Sequence, residues 1–323
     1  MNQLSAAGRH QLDAMIERCS FPLVTGTTGG AVVCAVSGGA DSTALLALAR
    51  HSGREVLAVH VDHGLRPQSG AEAEIVRANA ERLGAAFRAE RVDVGDGPGL
   101  EARARTARYG VLPRDVCTGH TADDQAETVL LHLLRGSGTR GLAGMRAGPP
   151  KPAGGERSPC RPILALRRSE TEAVCRLLNL VVVDDPSNRD PRFTRNRVRS
   201  EMLPLLREIG GRDPVPILVR QAELLREDDD LLDVLAASVD PANAPALAAA
   251  PLALARRAVR RWVMERDPRH HPPDAAAVQR ILDVADGLAV ACEVPGSGRV
   301  ERHAQRLTIR FDQRDASTPP SAE

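Results

Sequence analysis

The chain has 323 residues, a length that accommodates about two domains, and 42% of them are hydrophobic. Its formal net charge is only +1, and nearly all of its positive charge is arginine, with Lys151 as the single lysine. No run reaches the roughly 18 consecutive apolar positions of a membrane span, and residues 1–20 have an amphipathic helical pattern rather than that of a secretory signal, so we expect a soluble, cytoplasmic protein.

The six cysteines are scattered along the chain, and none belongs to a CxxC pair or to a Cys/His spacing that could close a zinc site. We therefore expect most of them to be buried free thiols. They are Cys19, Cys34, Cys117, Cys160, Cys175 and Cys292.

From residue 31 onwards, short apolar runs alternate with longer segments of helical period, a pattern typical of parallel βαβ units. The predicted strands are 31–36, 55–61, 87–94 and 115–119, and the predicted helices are 41–51, 69–84, 100–112 and 122–135. Residues 164–180 add one more helix, followed by an apolar run that we predict as a strand. The fold class is therefore α/β, with a doubly wound, mostly parallel sheet whose ligands lie beyond the carboxyl ends of the strands.

Changes of composition divide the chain further. Residues 135–162 are dense in Gly, Pro and Arg and are predicted as a long loop. Beyond residue 215, the sequence is rich in alanine and arginine at helical spacing. An alternating pattern near the end, with a turn at 295–298, predicts a small β-hairpin. The predicted segments are an N-terminal helix and lead-in at 1–29, the α/β domain at 30–215, a smaller, mainly helical domain with a β end at 216–312, and a disordered tail at 313–323.

The stretch SGGADS, residues 37–42, links the first predicted strand to the first helix of the α/β domain. Such a glycine-rich turn exposes backbone N–H groups at a positively polarised helix N-terminus, which favours an anion such as phosphate. The spacing fits neither a Walker A loop nor a dinucleotide fingerprint. Asp41 would repel phosphate unless a magnesium ion lies between them. The plain alternative is a tight turn in which Asp41 or Ser42 only caps the helix.

SGGADS resembles the SGGxDS signature of the PP-loop, or N-type, ATP pyrophosphatases, which share an adenine nucleotide alpha hydrolase-like fold and cleave ATP between its α- and β-phosphates. That resemblance implies adenylation chemistry without naming the acceptor. It implies an ATP site made by Ser37, Gly38, Gly39, Ala40, Asp41 and Ser42, with magnesium held by Asp41 through ATP.

Two further motifs follow predicted strands, as SGGADS does, so we expect all three to converge on one crevice. In VHVDHGLRPQS, residues 59–69, His60, Asp62 and His63 could be metal ligands, polar residues lining the ATP crevice, or satisfied buried side chains; we assign His60 to the ATP site. In GHTADDQAETV, residues 119–129, Asp124 and Glu127 share one helix face and could hold a cation. The alternative for Asp124 is a first-turn residue that complements the helix dipole.

Arginines recur in two segments. Arg105 and Arg108 share a face of the predicted helix 100–112, and Arg192, Arg195 and Arg199 recur at helical spacing in a basic stretch. They could contact the phosphates of tRNA, which supply most non-specific affinity, or form solvated charged faces. All of them except Arg192 could instead neutralise the α-phosphate of ATP during transfer.

Together, the blocks HVDHGLR, EARARTARY, GHTADDQAETVLLHLLRGSGTRGLAGM and DDPSNRDPRFTRNRVRSEMLP resemble the bacterial tRNA(Ile)-lysidine synthetases in their short form. The resemblance covers about residues 30–210 and weakens beyond. It implies that ATP adenylates the wobble cytidine of the isoleucine tRNA with anticodon CAU, and that the ε-amine of free lysine then displaces AMP to give lysidine.

The resemblance also implies roles for individual residues. The expected catalytic residues are Asp41, His120, Asp124, Glu127 and Arg105. Asp124 and Glu127 would bind lysine, and either they or His120 would take its proton. Arg108, Arg192, Arg195 and Arg199 would contact tRNA.

The expected ligands are ATP, Mg²⁺, L-lysine and tRNA, with no membrane partner; a homodimer is kept as one candidate assembly. Two alternatives remain open. A PP-loop tRNA thiolase would need reactive cysteines in the crevice, and a regulator that senses ATP would bind it without turnover.

Overall fold

The computed structural model of the protein describes residues 4–22, 30–62, 64, 69–95, 97, 99–148, 159–185 and 190–311. Within these ranges, no helix combines the length and apolar character needed to cross a bilayer. The predicted tail at 313–323 and the central part of the predicted loop, residues 149–158, lie outside the described residues, as does His63.

A parallel sheet forms the centre of the first compact unit, Met1–Leu225. Its strands are β1 (Val32–Ala35), β2 (Val56–Asp62) and β3 (Ala86–Arg91), hydrogen-bonded in that order. Single parallel bridges extend it beyond β1, from Cys34 to Cys117 and from Cys117 to Cys160. The predicted strand at 115–119 is thus reduced to one bridging position.

Helices surround this sheet, and the four predicted between the strands begin and end within one residue of the predicted limits. The helices of this part of the chain are α1 (Ala6–Ile16), α2 (Ala40–His51), α3 (Ser69–Leu83), α4 (Leu100–Val111), α5 (Ala122–Leu134), α6 (Thr139–Leu142), α7 (Arg168–Leu177), α8 (Thr194–Arg197), a π-helical turn at Val198–Met202, α9 (Leu203–Gly210) and α10 (Pro214–Ala236).

Strand β1 is buried on both of its faces. Val32 and Cys34 belong to the larger core, which includes the buried side of α2. Val33, between them, belongs to a separate cluster with Leu112 and partly buried Tyr109. Because successive side chains of a strand point to opposite faces, this division confirms the doubly wound arrangement.

Two elements differ from the expectation around residues 164–183. The helix begins only at Arg168, because the Glu170 carboxylate accepts a hydrogen bond from Arg167 N at 2.8 Å and closes the first turn. The apolar run after it forms no strand. Instead, Val183 N donates to Gly38 O at 2.9 Å and supports the loop after β1.

The second compact unit is Arg226–Glu323, and the division falls within α10. Trp262 is buried at its core among aliphatic side chains. Its strands form an antiparallel sheet of order β4-β5-β6, so the predicted hairpin is present and a third strand joins it. The elements are α11 (Ala244–Ala249), α12 (Leu252–Arg266), α13 (Ala275–Ala285), β4 (Ala291–Val294), β5 (Gly298–His303) and β6 (Arg306–Phe311). The domain limits given from the sequence stay predictions.

Candidate active site

The loop between β1 and α2 is closed by its two serines. Ser42 Oγ lies 3.2 Å from Ser37 N and 3.2 Å from Ser37 Oγ, and it donates to Gly39 O at 3.0 Å. Gly38 has a φ of +94°, and a Cβ there would lie 2.7 Å from Val183 Cγ2, so only glycine fits. The first helical hydrogen bond runs from Thr43 N to Gly39 O. The N–H groups of residues 38–42 precede it, lie outside the helix ladder and are available to an anion.

A second loop packs directly on the first turn of α2. A Cβ on Gly119 would lie 2.8 Å from both Asp41 C and Ser42 N, closer than real Cβ contacts. Gly119 therefore permits two backbones to touch. This contact brings the carboxylates of α5 close to Asp41.

Asp41 is bound to α7. Its Oδ1 accepts a hydrogen bond from Thr171 Oγ1, and its Oδ2 lies 3.2 Å from Arg168 Nε. Burial raises the pKa of Asp41 despite the opposing charge of Arg168. The carboxylate is thus incompletely compensated, a property that favours an additional cation.

The two carboxylate oxygens of Asp124 have different partners: one caps α5 and the other pairs with Arg168. Its Oδ2 accepts from Thr121 N and Thr121 Oγ1, each at 2.9 Å, and closes the first turn of α5. Its Oδ1 lies 3.0 Å from Arg168 Nη2. Burial opposes ionisation, yet Arg168 and the hydrogen bonds lower the pKa of Asp124. Asp124 is therefore a first-turn residue, the alternative that the sequence left open, and the structure adds a capping hydrogen bond and an ion pair.

Glu127 is completely buried and surrounded by guanidinium groups. Arg199 binds it through two contacts, from Nε to Oε1 at 2.7 Å and from Nη2 to Oε2 at 3.1 Å. Arg168 Nη1 lies 3.4 Å from Oε1, and Arg195 Nε lies 3.6 Å from Oε2. A buried carboxylate requires such partners to remain charged.

Arg168 is the central cation of this cluster, and sequence reasoning missed it. Its guanidinium contacts Asp41, Asp124 and Glu127, which belong to two helices far apart in the chain. Although burial opposes its charge, Asp124, Asp41 and Glu127 raise the pKa of Arg168. Its only sequence signal was the pair RR at the start of the predicted helix 164–180.

A cavity of about 360 Å³ opens beside this cluster. Glu127 and Arg168 reach it from one side, and α9 supplies Arg207 and Glu208. Asp213 also lines it and is paired with Arg167 at 2.6 Å. The cavity thus offers both carboxylates and guanidinium groups, together with apolar contacts from Leu203, Pro204, Pro214 and Val215.

His120 lies two residues before the start of α5, with Nδ1 2.8 Å from Thr118 Oγ1. Burial lowers the pKa of His120 to about 4, and Arg161, Arg195 and Arg105 add to this effect against the attraction of Asp124. The imidazole is therefore neutral at pH 7.

His60 is a buried, hydrogen-bonded residue. Its Nδ1 lies 2.9 Å from Val36 O, the carbonyl that precedes the SGGADS loop. It thereby ties the end of β2 to that loop. A direct contact with ATP stays a prediction.

The predicted tRNA-contacting arginines have different environments. Arg195 and Arg199 face Glu127, and Arg195 Nη2 also donates to Thr128 Oγ1 at 3.0 Å. Arg192 is exposed and paired with Asp190. The fourth, Arg108, lies on α4 and is partly buried. Arg105, which was expected to be catalytic, lies on the same helix and packs over Tyr109, with its guanidinium carbon 4.9 Å from the ring centroid.

Three cysteines lie side by side across the sheet: Cys34, Cys117 and Cys160, all buried. The hydrogen-bonded neighbour Cys117 and burial raise the pKa of the Cys160 thiol. Thiols of this kind are inert, since the thiolate is the reactive form. This environment disfavours the sulfur-transfer alternative.

Comparisons with known proteins agree with this geometry. Residues 9–206 match the family described as PP-loop domain. A tRNA(Ile)-lysidine synthase of Nocardia farcinica is 44% identical over 303 residues, covering 88% of this chain and 93% of that protein. The tRNA(Ile)-lysidine synthase of Mycolicibacterium paratuberculosis is 48% identical over 242 residues, covering 71% of this chain and 73% of that protein.

Among solved structures, the U34-tRNA thiolase NcsA of Methanococcus maripaludis, with its [4Fe-4S] cluster, is similar at a TM-score of 0.51 and 16% identity, covering 68% of this chain and 79% of that chain. At that identity the similarity shows a common fold. The matched PP-loop domain and the sequence identity to lysidine synthases decide the family: this chain belongs to the tRNA(Ile)-lysidine synthase family of PP-loop proteins.

Proposed function

We propose that the protein is an ATP-dependent ligase that adenylates the wobble cytidine of the isoleucine tRNA with anticodon CAU and joins lysine to it, releasing AMP and pyrophosphate. One observation carries the proposal beyond family membership. Gly119 brings the first turn of α2, where we propose that phosphate binds, into backbone contact with the segment that leads to Asp124 and Glu127. The proposed ATP site and the proposed site for a cationic amine would therefore adjoin each other, as a two-step transfer requires.

The ATP site is proposed at the loop after β1. The N–H groups of Gly38, Gly39 and Ala40 would bind phosphate oxygens. The hydroxyls of Ser37 and Ser42 would join them by turning away from their present partners, Ser42 Oγ and Gly39 O. Donors fixed before the reaction stabilise the charge that develops on the leaving pyrophosphate.

Asp41 is the proposed ligand of magnesium, which would neutralise phosphate charge when bound. Its raised pKa supports this assignment, because a cation there would offset the cost of burying the carboxylate. Within the described ranges, no group of three or more His, Cys, Asp or Glu side chains could form a metal cage. Phosphate oxygens and water would therefore complete the coordination, as is usual for magnesium.

The lysine site is proposed at Asp124 and Glu127, with the adjoining cavity receiving the rest of the amino acid. The cavity has both signs of charge, which suits a molecule with two ammonium groups and one carboxylate. In the described structure, Arg168 and Arg199 are bound to these carboxylates. Lysine binding would therefore require at least one guanidinium to move.

His120 is the proposed proton acceptor. Only a neutral amine can attack, and a nearby carboxylate favours the ammonium, so a base must take a proton as the bond forms. The low pKa of His120 keeps the imidazole unprotonated at neutral pH. The positive charges of Arg105 and Arg195 disfavour protonation of the same ring, and we propose that these two arginines lie near the α-phosphate. Arg108 and the exposed Arg192 are retained for the tRNA backbone.

The deciding experiment incubates the purified protein with ATP, magnesium, radiolabelled lysine and individual tRNA transcripts. We expect label in the isoleucine tRNA with anticodon CAU, and none in a methionine tRNA with the same anticodon. Label in no transcript would refute the proposal. Pyrophosphate release without lysine transfer would instead favour another adenylating modifier.

A further inference from the structure

The hydroxyl of Thr118 lies between two groups of the candidate site. Thr118 Oγ1 is 3.1 Å from Cys160 O and 2.8 Å from His120 Nδ1. Thr118 is buried, and its own N donates to the same Cys160 carbonyl at 2.9 Å. The hydroxyl is thus held by the edge of the parallel sheet.

The directions of these hydrogen bonds assign the proton on the imidazole. A hydroxyl has one proton, and a carbonyl oxygen can only accept. If Thr118 donates to Cys160 O, it accepts from His120, and Nδ1 must then carry the ring proton. This is the only assignment that makes both contacts hydrogen bonds. Nε2 then bears the lone pair, and it has no hydrogen-bond partner among the residues that the structure describes.

The charged groups around the ring are compatible with this state. Arg105, Arg161 and Arg195 act against protonation of His120, and Asp124 acts in its favour. The other ring nitrogen therefore stays a free acceptor while the imidazole is neutral. A ring held by one nitrogen and free at the other has the arrangement that general bases use.

We propose that Thr118 is a positioning residue that fixes His120 as the Nδ1–H tautomer and so makes Nε2 the atom that receives the lysine proton. This inference rests on the proposed function. As the amine nitrogen bonds to the cytidine ring carbon, the carbon–oxygen bond to AMP breaks and AMP leaves with its electron pair. One amine proton passes to Nε2, and the resulting imidazolium still donates to Thr118 through Nδ1.

The test compares Thr118→Val with Thr118→Ser. Valine keeps the shape of threonine and removes the hydroxyl, whereas serine keeps the hydroxyl. We expect Thr118→Val to slow lysine transfer to preformed adenylated tRNA at least about tenfold, with the adenylation rate and the KM for lysine nearly unchanged. Thr118→Ser should restore most of the transfer rate. Thr308→Val, on an exposed position of β6, is the control for the substitution itself.

A second readout does not depend on activity. Nitrogen-15 NMR of histidine-labelled protein distinguishes the two tautomers, and the His120 signals are assigned by their loss in His120→Gln. We expect the Nδ1–H form in the wild type and in Thr118→Ser, and a shift toward Nε2–H in Thr118→Val. An Nε2–H tautomer in the wild type would overturn the inference. If the NMR spectra gave the expected tautomers but the protein transferred no lysine, the proposed function would be refuted and the assignment of the ring proton would still hold.

Discussion

Gly119→Ala should separate the two loops that form the candidate site. The new methyl group would lie 2.8 Å from Asp41 C and Ser42 N and 2.9 Å from Asp41 O. All three are backbone atoms, so no side chain can rotate away. Ordinary contacts begin at 3.4 Å, and relief therefore requires the first turn of α2 and the loop before α5 to move apart by about 0.5 Å or more.

Two magnitudes follow from that displacement. Forcing an extra methyl into a packed contact costs about 1–3 kcal/mol, so the midpoint of urea unfolding should fall moderately. The catalytic effect should be larger than the stability effect alone implies, because a misplacement near 1 Å can cost about 100-fold in rate. We expect a reduction in kcat of about tenfold to 100-fold in a protein that remains folded at 25 °C.

The assay measures lysine transfer under saturating ATP, lysine and tRNA, together with urea unfolding. Gly110→Ala is the matched control, since Gly110 lies in α4 with nothing within 4 Å of the added Cβ. This variant should retain activity, and its free energy of unfolding should rise by about 0.4–1 kcal/mol. If Gly119→Ala folded with wild-type stability and wild-type kcat, the reasoning about the close backbone contact would be refuted.

Three further substitutions test the charges of the cluster. Glu127→Gln should raise the KM for lysine severalfold; a rise of no more than about twofold at unchanged turnover would contradict the lysine site. Arg168→Met leaves three carboxylates without their shared cation. We therefore expect the free energy of unfolding, measured with urea at pH 8, to fall by about 3–5 kcal/mol. A fall of less than about 1 kcal/mol would contradict a stabilising role for the ion network. The pKa of His120 is about 4 in the folded protein and about 6.5 when unfolded, so only the unfolded chain binds a proton between these values. The free energy of unfolding should therefore fall by about 2 kcal/mol between pH 7 and pH 5, and His120→Gln should lose that part of the pH dependence.

The fold was accessible from the sequence because each element carries its own local pattern. The helices α2 and α5 follow glycine-containing turns and keep a clear helical period, so their limits were predicted closely. The segment at 115–119 was predicted as a strand from its apolar residues, yet only Cys117 makes a bridge. Local composition does not determine how many backbone pairs an edge segment forms, because its neighbour also decides.

The candidate site was only partly accessible. Asp41, Asp124 and Glu127 were expected near each other because they follow strands of one parallel sheet. Arg168 and Thr171 were not, since each meets Asp41 across more than a hundred residues of chain. Which partner a buried carboxylate takes depends on the packing of whole helices, and helical spacing gives no information about it.

The same limit applies to the arginines of the basic segment. Their spacing correctly grouped Arg195 and Arg199 on one face, but it did not give the direction of that face. The buried charge of Glu127 determines it, because a fully desolvated carboxylate stabilises the guanidinium groups that reach it. Arg192 lies outside that face and is paired at the surface with Asp190.

The position of Arg168 among three carboxylates has a consequence for how an amino acid would be selected. The carboxylates already hold a cation, so at the proposed lysine site an incoming ammonium would take part in an ion exchange and would not fill a vacant site. Its affinity is then a difference between two similar interaction energies. Under that condition we expect the length of the side chain to decide selection, since a shorter amine-bearing side chain would reach the carboxylates less well and would compete poorly with the resident guanidinium.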